Sequence, residues 1–315
     1  GTIDINATES LTLSGTSPNS KISSAIRSES VSLGQGAKIN ISTRQLSVLD
    51  EAQIRTGTYS EATGNNINVD ASNSIRLAGG RISSSTFATG NAGSLQISTS
   101  QLKATDAGSL TSATVGSGRG GNITVDADSI ELAGGSSFNR SGISASSFST
   151  GNAGSLNINT GQLQIKNGAT VSSSSFANGN AGSINIYASE STNISGINPN
   201  LRVSSNPEST IRTAVQASTS SGQRALGLPA VPAGNSGNIT LNTPFLILSE
   251  QGTINVENEG TGEGGTLSIN TEQLNLEEEG SITAATASGT GGNITLDTKS
   301  LQINDGSEIT STAGN

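Results

Sequence analysis

The side chains in this chain that are best suited to catalysis are carboxylates. Three acidic groups stand out in the sequence: Asp126 with Asp128, Glu257 with Glu259 and Glu263, and the run at 277–279. Paired carboxylates are the groups that glycosidases use as acid, base or nucleophile. The chain has no His and no Cys, which removes imidazole and thiolate as bases, nucleophiles and metal ligands. No Lys or Arg adjoins the acidic groups, and we interpret them as a solvated acidic edge. The sequence therefore predicts no enzyme.

Charge and composition exclude further classes of function. The net charge is −9, and the 15 basic and 24 acidic residues are scattered thinly. Without a basic stripe we expect no nucleic-acid partner. No apolar run approaches the ~20 residues of a membrane-spanning helix, so no transmembrane segment is expected. Residues 118–126 carry the glycines of calcium-binding nonapeptides but lack Asp at the required spacing. We predict no dedicated metal site and no cofactor, and the sequence leaves open whether the acidic edge binds calcium loosely.

A phrase of glycine, asparagine and small residues returns along the chain. Gly-Asn-Ala-Gly-Ser opens at Gly90, Gly151 and Gly179, with looser copies at Gly64, Gly118, Gly234, Gly262 and Gly289. The first apolar residues after each phrase are Ile39, Ile67, Leu95, Ile123, Leu156, Ile184, Ile239, Leu267 and Ile294. Their steps are 28, 28, 28, 33, 28, 55, 28 and 27 residues. A fixed period of this size is typical of a solenoid, whose units bury apolar faces by stacking.

One repeat unit, residues 90–117, predicts the shape of a coil. Leu95 and Ile97 alternate with polar residues, Leu102 follows a short polar corner, and Leu110 opens a Ser/Thr-rich segment after Gly108. Period-2 alternation in segments rich in Ser, Thr and β-branched residues indicates strands and argues against helical repeats. We predict an all-β, right-handed parallel β-helix of about ten coils of ~28 residues, with three short strands per coil. Residues 1–315 form one repeat domain, interpreted as a window of a longer array.

Aromatic residues recur at one position of the repeat, which we call the aromatic ladder. Its members are Tyr59, Phe87, Val115, Phe148 and Phe176, each five residues after the first apolar residue of the third predicted strand. They are expected to lie one above another. Such a ladder stabilises a corner by stacking, and this interpretation is favoured. The alternative is a carbohydrate-binding stripe of exposed rings.

Asparagine forms a second ladder, at Asn122, Asn238 and Asn293, with Ser or Thr at the same place in other coils. Asn tolerates turns and can bridge stacked coils through its amide. The sequence predicts a structural role for it.

Insertions interrupt the repeat at residues 15–21, 134–142 and, most extensively, 196–234. Insertions in solenoids form loops on one side, often the binding side. The long stretch is a candidate docking loop, with these residues singled out: Pro199, Pro207, Leu226, Leu228 and Pro229. The alternative, an excursion that folds over the rod, is favoured.

Residues 151–176, Gly-Asn-Ala-Gly-Ser-Leu-Asn-Ile-Asn-Thr-Gly-Gln-Leu-Gln-Ile-Lys-Asn-Gly-Ala-Thr-Val-Ser-Ser-Ser-Ser-Phe, resemble repeats of a known family. That family comprises the large exoproteins of cyanobacteria related to filamentous haemagglutinin, which look like two-partner-secretion substrates. The resemblance covers nearly the whole chain. It implies a right-handed β-helix, export across the outer membrane and display at the cell surface. It carries over no catalytic residue.

The sequence thus predicts a non-enzymatic, extracellular structural or adhesive protein. It would be a rod that builds a surface fibre, sheath or layer, with other copies or flanking repeats stacked end to end. Surface polysaccharide is a further possible partner. The alternative function is a carbohydrate-binding or polysaccharide-processing β-helix that uses the aromatic ladder and the insertion loops.

Overall fold

The computed structural model describes residues 1–19, 22–32, 34, 36–202, 207–216, 227–288 and 291–314. Within them the regular elements are twenty β-strands, a long one followed by a short one in each coil. The long strands are β1 (Thr2–Ser14), β3 (Lys38–Leu49), β5 (Ile67–Ala78), β7 (Leu95–Thr105), β9 (Ile123–Ala133), β11 (Leu156–Lys166), β13 (Ile184–Ser195), β15 (Ile239–Ser249), β17 (Thr266–Leu276) and β19 (Asn293–Ile303). The short strands are β2 (Ala25–Ser30), β4 (Gln53–Thr58), β6 (Arg81–Thr86), β8 (Ser109–Thr114), β10 (Gly142–Ser147), β12 (Thr170–Ser175), β14 (Thr210–Val215), β16 (Thr253–Asn258), β18 (Ser281–Thr286) and β20 (Glu308–Ala313).

The strands form two parallel sheets of ten strands each, one from the long strands and one from the short strands. In both sheets the order follows the chain, so that every coil lies between the coil before it and the coil after it. The predicted all-β, parallel stacking of coils is confirmed. The register keeps repeat positions together: Leu95 lies opposite Ile67 on one side and Ile123 on the other.

Each coil has two strands, and the prediction of three short strands per coil is wrong. The first two predicted strands are joined in one long strand. In β7, Leu95 and Ile97 point inward, the phase then changes at Ser100 and Gln101, and Leu102 is buried again. Several strand pairs shift register at this point, as between Ala71 and Ser74. The predicted corner is thus a change of phase within a strand, because pairing to both neighbouring coils keeps the backbone extended.

The core is a continuous file of aliphatic side chains between the two sheets. Each half of a long strand contributes two inward positions to the core. In β7 these include Leu95 and Ile97 in the first half and Leu102 in the second. Each short strand contributes one large residue, such as Leu110. Each fully buried Leu or Ile stabilises the fold by roughly 1.5–3 kcal/mol. Since a coil covers only its two neighbours, this core grows along one axis.

Hydroxyl groups fill the remaining interior beside the glycine-rich corner. The Oγ1 of Thr86 donates to the carbonyl oxygen of Gly90 at 2.6 Å, and the Oγ1 of Thr114 donates to that of Gly118 at 2.6 Å. The Oγ of Ser112 accepts from the amide of Gly121 at 2.8 Å. These buried hydroxyls satisfy the polar backbone of the corner.

The repeated glycines form two columns in which one backbone packs on the next. A Cβ atom built on Gly154 would lie 1.9 Å from the carbonyl oxygen of Gly121, and one on Gly121 would lie 1.9 Å from that of Gly93. The first glycine of the phrase makes the same close contact, since a Cβ on Gly151 would lie 1.9 Å from the carbonyl oxygen of Gly118. Close approach of coils therefore explains the glycine phrase.

At the opposite corner the long strand passes to the short strand. In coils without an insertion the corner is a tight turn with residues in the left-handed region, such as Asp106 (φ 55°) and Ala107 (φ 69°). The insertions replace this turn with hairpins, held by antiparallel bridges between Thr16 and Ser23, Gly135 and Arg140, and Ile197 and Glu208. These three insertions thus lie at the same corner of the rod.

The stretch 196–234 is not one insertion. Strand β14 lies inside it and takes a regular place between β12 and β16. The stretch therefore consists of a hairpin before β14 and a second excursion after it, at the other corner of the same coil. The 55-residue step in the repeat is a single enlarged coil.

Candidate functional site

The aromatic ladder lies just beyond the ends of the short strands. The rings of Tyr59 and Phe87 stack with centroids 4.8 Å apart and planes 4° apart. Those of Phe148 and Phe176 stack at 4.9 Å and 5°. Val115 lies between the two pairs, and its amide donates to the carbonyl oxygen of Thr86, as the amide of Phe148 does to that of Thr114. The ladder therefore consists of two stacked pairs with an aliphatic gap.

Beside the ladder runs a groove of about 340 Å³ on the outer face of the short-strand sheet. Tyr59 and Phe87 line one side, Ser83 and Ser85 belong to its floor, and Asn139 of an insertion hairpin lines it as well. The two features that the sequence assigned to carbohydrate binding thus meet here. However, each stacked ring covers one face of its partner, so that face is withdrawn from contact with a sugar. This geometry favours the role of stabilising a corner.

The candidate docking loop lies partly against the rod. Pro199 belongs to a turn in which the amide of Leu201 donates to the carbonyl oxygen of Asn198, and Pro207 accepts from the amide of Asn198 at 2.8 Å. Leu228 and Pro229 are half-buried, and Leu226 lies outside the described residues.

The hairpin before β14 packs on the hairpin of residues 134–142, two coils away. The Nδ2 of Asn198 donates to the carbonyl oxygen of Ser136 at 3.3 Å, and the amide of Arg202 donates to that of Ser137 at 2.8 Å. The described part of the loop therefore folds over the rod.

A half-buried arginine clamps this corner. The Nη1 of Arg140 donates to the carbonyl oxygens of Gly168 at 3.3 Å and Glu208 at 2.7 Å. Burial lowers the pKa of Arg140 to about 10, Glu208 opposes the shift, and the nearby charge of Arg212 adds to it. Arg140 is therefore still cationic at neutral pH. Arg212 is 8% exposed and forms an ion pair with Glu257. Arg140 thus ties the hairpin of residues 134–142 to the two following coils, and Arg212 joins strand β14 to strand β16.

The acidic groups do not assemble into a catalytic pair with a basic neighbour. Glu257 is engaged by Arg212, and Glu278 and Glu279 occupy an exposed left-handed corner. Within the described ranges, no group of three or more acidic side chains is placed to hold a metal ion.

The asparagine ladder bridges coils. The Oδ1 of Asn122 accepts from the amide of Ser155 at 2.9 Å, and that of Asn238 accepts from the amide of Thr266 at 2.8 Å. A second, parallel ladder escaped the sequence analysis: the Oδ1 of Asn91 accepts from the amide of Arg119, and that of Asn152 from the amide of Asn180.

A further feature missed from the sequence is a row of outward side chains on the long-strand sheet, which we call the polar trough. Successive coils place these residues in register: Ser42, Asp70, Ser98, Asp126, Asn159 and Tyr187. Two open cavities, of about 570 and 620 Å³, lie along this row and share Ser98. The signal was present in the sequence, because each member lies three residues after the first apolar residue of its repeat.

The described residues contain no helix that is long and apolar enough to cross a membrane. No family model matches this chain, and neither the curated proteins nor the solved structures contain a significant match to it.

Proposed function

We propose that this protein is a non-enzymatic, extracellular rod that builds a surface fibre, sheath or layer and mediates adhesion. The observation that carries the proposal is the pair of uninterrupted ten-strand parallel sheets around one continuous core. Ten coils at about 4.8 Å each make a rod of roughly 50 Å. A stiff element whose length scales with coil number suits a spacer or fibre.

Its sheets offer edges through which rods can extend. Among the strands that the structure describes, β1, β2, β19 and β20 each pair on one side only. Leu301 and Ile303 are each 44% exposed, whereas their partners Leu274 and Leu276 in the preceding coil are buried. Unpaired edges above an open core favour addition of further strands. Other copies or flanking repeats are the partners that we propose.

The resemblance of residues 151–176 to cyanobacterial exoprotein repeats supports two-partner secretion and a place at the cell surface. Serine, threonine and asparagine dominate the outer faces, which suits a hydrated surface layer.

Imaging of the purified chain by cryo-electron microscopy at rising concentration tests the proposal. We expect filaments with a ~4.8 Å axial repeat that continues across chain junctions. Placing charge on the open core, by Leu301→Lys with Ile303→Lys, is expected to abolish them, whereas Phe245→Lys on an outer sheet face is not. Discrete rods of roughly 50 Å at every concentration would contradict the assembly.

A further inference from the structure

We propose that the polar trough binds a neutral glycan chain, with Tyr187 as the platform for one sugar ring. The inference rests on the proposed function, because it names the partner through which the rod adheres. It places carbohydrate binding on the long-strand sheet and away from the aromatic ladder.

The ring of Tyr187 has no stacked aromatic partner among the described residues, whereas each stacked ring of the ladder uses one face on its partner. Its side chain is 57% exposed, and it lies in register between Asn159 and Asn242 on the adjacent coils. Among the described residues no second aromatic ring stacks on it. An aromatic side chain with an open face and a polar tip offers both an apolar surface and a hydrogen bond to a ligand. Tyr187 is therefore the better platform for a sugar.

Polar groups beside Tyr187 are already oriented by the protein. The Nδ2 of Asn159 donates to the Oδ1 of Asp126 at 2.7 Å, and the Nε2 of Gln162 donates to the Oε2 of Glu190 at 2.7 Å. Asp128 is exposed and accepts no hydrogen bond within the described part of the chain. Sugar hydroxyls both donate and accept, so fixed carboxylates and amides match them.

Gly161 lines the cavity next to Tyr187 and carries no side chain to fill it. A side chain at Gly161 would enter this space, since its Cβ would lie 2.6 Å from the carbonyl oxygen of Asp128 and 3.4 Å from the Oε1 of Glu190. The cavity next to Tyr187 measures about 620 Å³. It continues past Ser98 into a cavity of about 570 Å³ that reaches Asp4. The row crosses six coils in register, which suits an extended chain more than a single sugar.

The charge of the trough selects a neutral occupant. Asp126, Asp128 and Glu190 line the cavity of Tyr187, and none of its lining residues in the described part of the chain is Lys or Arg. A sulfated or uronate-bearing chain would be repelled by these carboxylates. A neutral glycan meets no such repulsion.

Calorimetric titration of the intact chain with a panel of hexasaccharides tests the inference. The panel contains β-1,4-glucan, β-1,3-glucan, α-1,4-glucan, xylan, chitin, the cationic chitosan and the anionic polygalacturonate. We expect saturable binding of at least one neutral member and none of polygalacturonate. Tyr187→Ala should weaken binding at least about tenfold, equal to about 1.4 kcal/mol, and Tyr187→Phe should retain most of it. Asp126→Ala should weaken it too.

Phe245→Ala serves as the matched control, because Phe245 is a 48% exposed aromatic residue on the same sheet outside the trough. It should leave binding unchanged. Absence of binding to every neutral hexasaccharide, binding that survives Tyr187→Ala, or binding confined to chitosan and abolished by 1 M salt would each overturn the inference. Circular dichroism confirms that the variants fold. Filament formation is read independently by microscopy, so failure of glycan binding is distinguishable from failure of the proposed rod.

Discussion

At the scale of single residues, the glycine phrase is the strongest determinant of this fold. In the phrases from Gly90 onward, the second glycine lies where the backbone of one coil touches the next, and a Cβ atom there would clash with that backbone. The spacing of the phrase in the sequence predicted that it forms a corner of each coil. The close contact between coils that favours glycine at this position could not be predicted, because it depends on how closely two corners stack.

Replacing Gly154 with alanine should destabilise the rod severely. Its Cβ would lie 1.9 Å from the backbone oxygen of Gly121, which cannot rotate away as a side chain can. Overpacking commonly costs 1–3 kcal/mol, and we expect about 3 kcal/mol or more here. The measurement is the urea midpoint of unfolding, followed by circular dichroism. Gly34→Ala is the control, since a Cβ there meets nothing within 4 Å. Equal midpoints for the two variants would refute the close contact.

The aromatic ladder illustrates what residue spacing can and cannot give. Spacing placed Tyr59 above Phe87 and Phe148 above Phe176, and both pairs stack. It did not give the direction in which the rings face, which decides whether a sugar can reach them. The polar trough, which includes Tyr187, follows the same period. Its members are residues of several types, so a search for a repeated residue type does not find it.

At the scale of elements, the alternation of buried and exposed residues explains which strands the sequence predicted correctly and which it did not. Two successive outward residues in each long strand, such as Ser100 and Gln101, resemble a turn in the sequence pattern. The sequence analysis therefore divided each long strand into two and predicted a third strand per coil. Strand β14 was hidden for the opposite reason. All six of its residues are buried, so the alternation that marks a strand with one solvated face is missing.

The tight corner between long and short strands makes a prediction about Ala107. This residue has φ of 69°, in the left-handed region, where a non-glycine residue is strained by ~1–2 kcal/mol. Ala107→Gly should therefore raise the free energy of unfolding by about 0.5–1 kcal/mol, after the greater entropy of glycine in the unfolded chain is deducted. The amide of residue 107 can still donate to the Oγ of Ser141.

The matched control is Ala113→Gly on the outer face of strand β8, which should lower the free energy of unfolding by roughly 0.5–1 kcal/mol. Urea denaturation of both variants measures the difference. If the two substitutions shift stability in the same direction, the corner does not hold Ala107 in a left-handed conformation.

At the scale of the whole molecule, the rod is a stack in which each coil depends on its neighbours alone. The enlarged coil at β13 and β14 shows how far this tolerance goes, because 55 residues occupy one place in both sheets. The additional residues of this coil lie at its corners and do not disturb the register of the strands. The number of coils and the length of the corner insertions can therefore vary independently in a protein of this design.

Removal of one complete coil should consequently leave the rest of the rod intact. Deleting residues 90–117, one 28-residue coil, joins Thr89 to Gly118 and removes strands β7 and β8. The remaining sheets can pair in register, because the positions of β5 and β9 correspond through β7. Phe87 then becomes the neighbour of Phe148, which closes the gap that Val115 leaves in the aromatic ladder. We expect a soluble rod with unchanged circular dichroism, shortened by about 4.8 Å. Deleting only residues 90–103 removes half a coil and should abolish folding. Equal stability of the two deletions in a urea titration would show that the coil is not the unit of this fold.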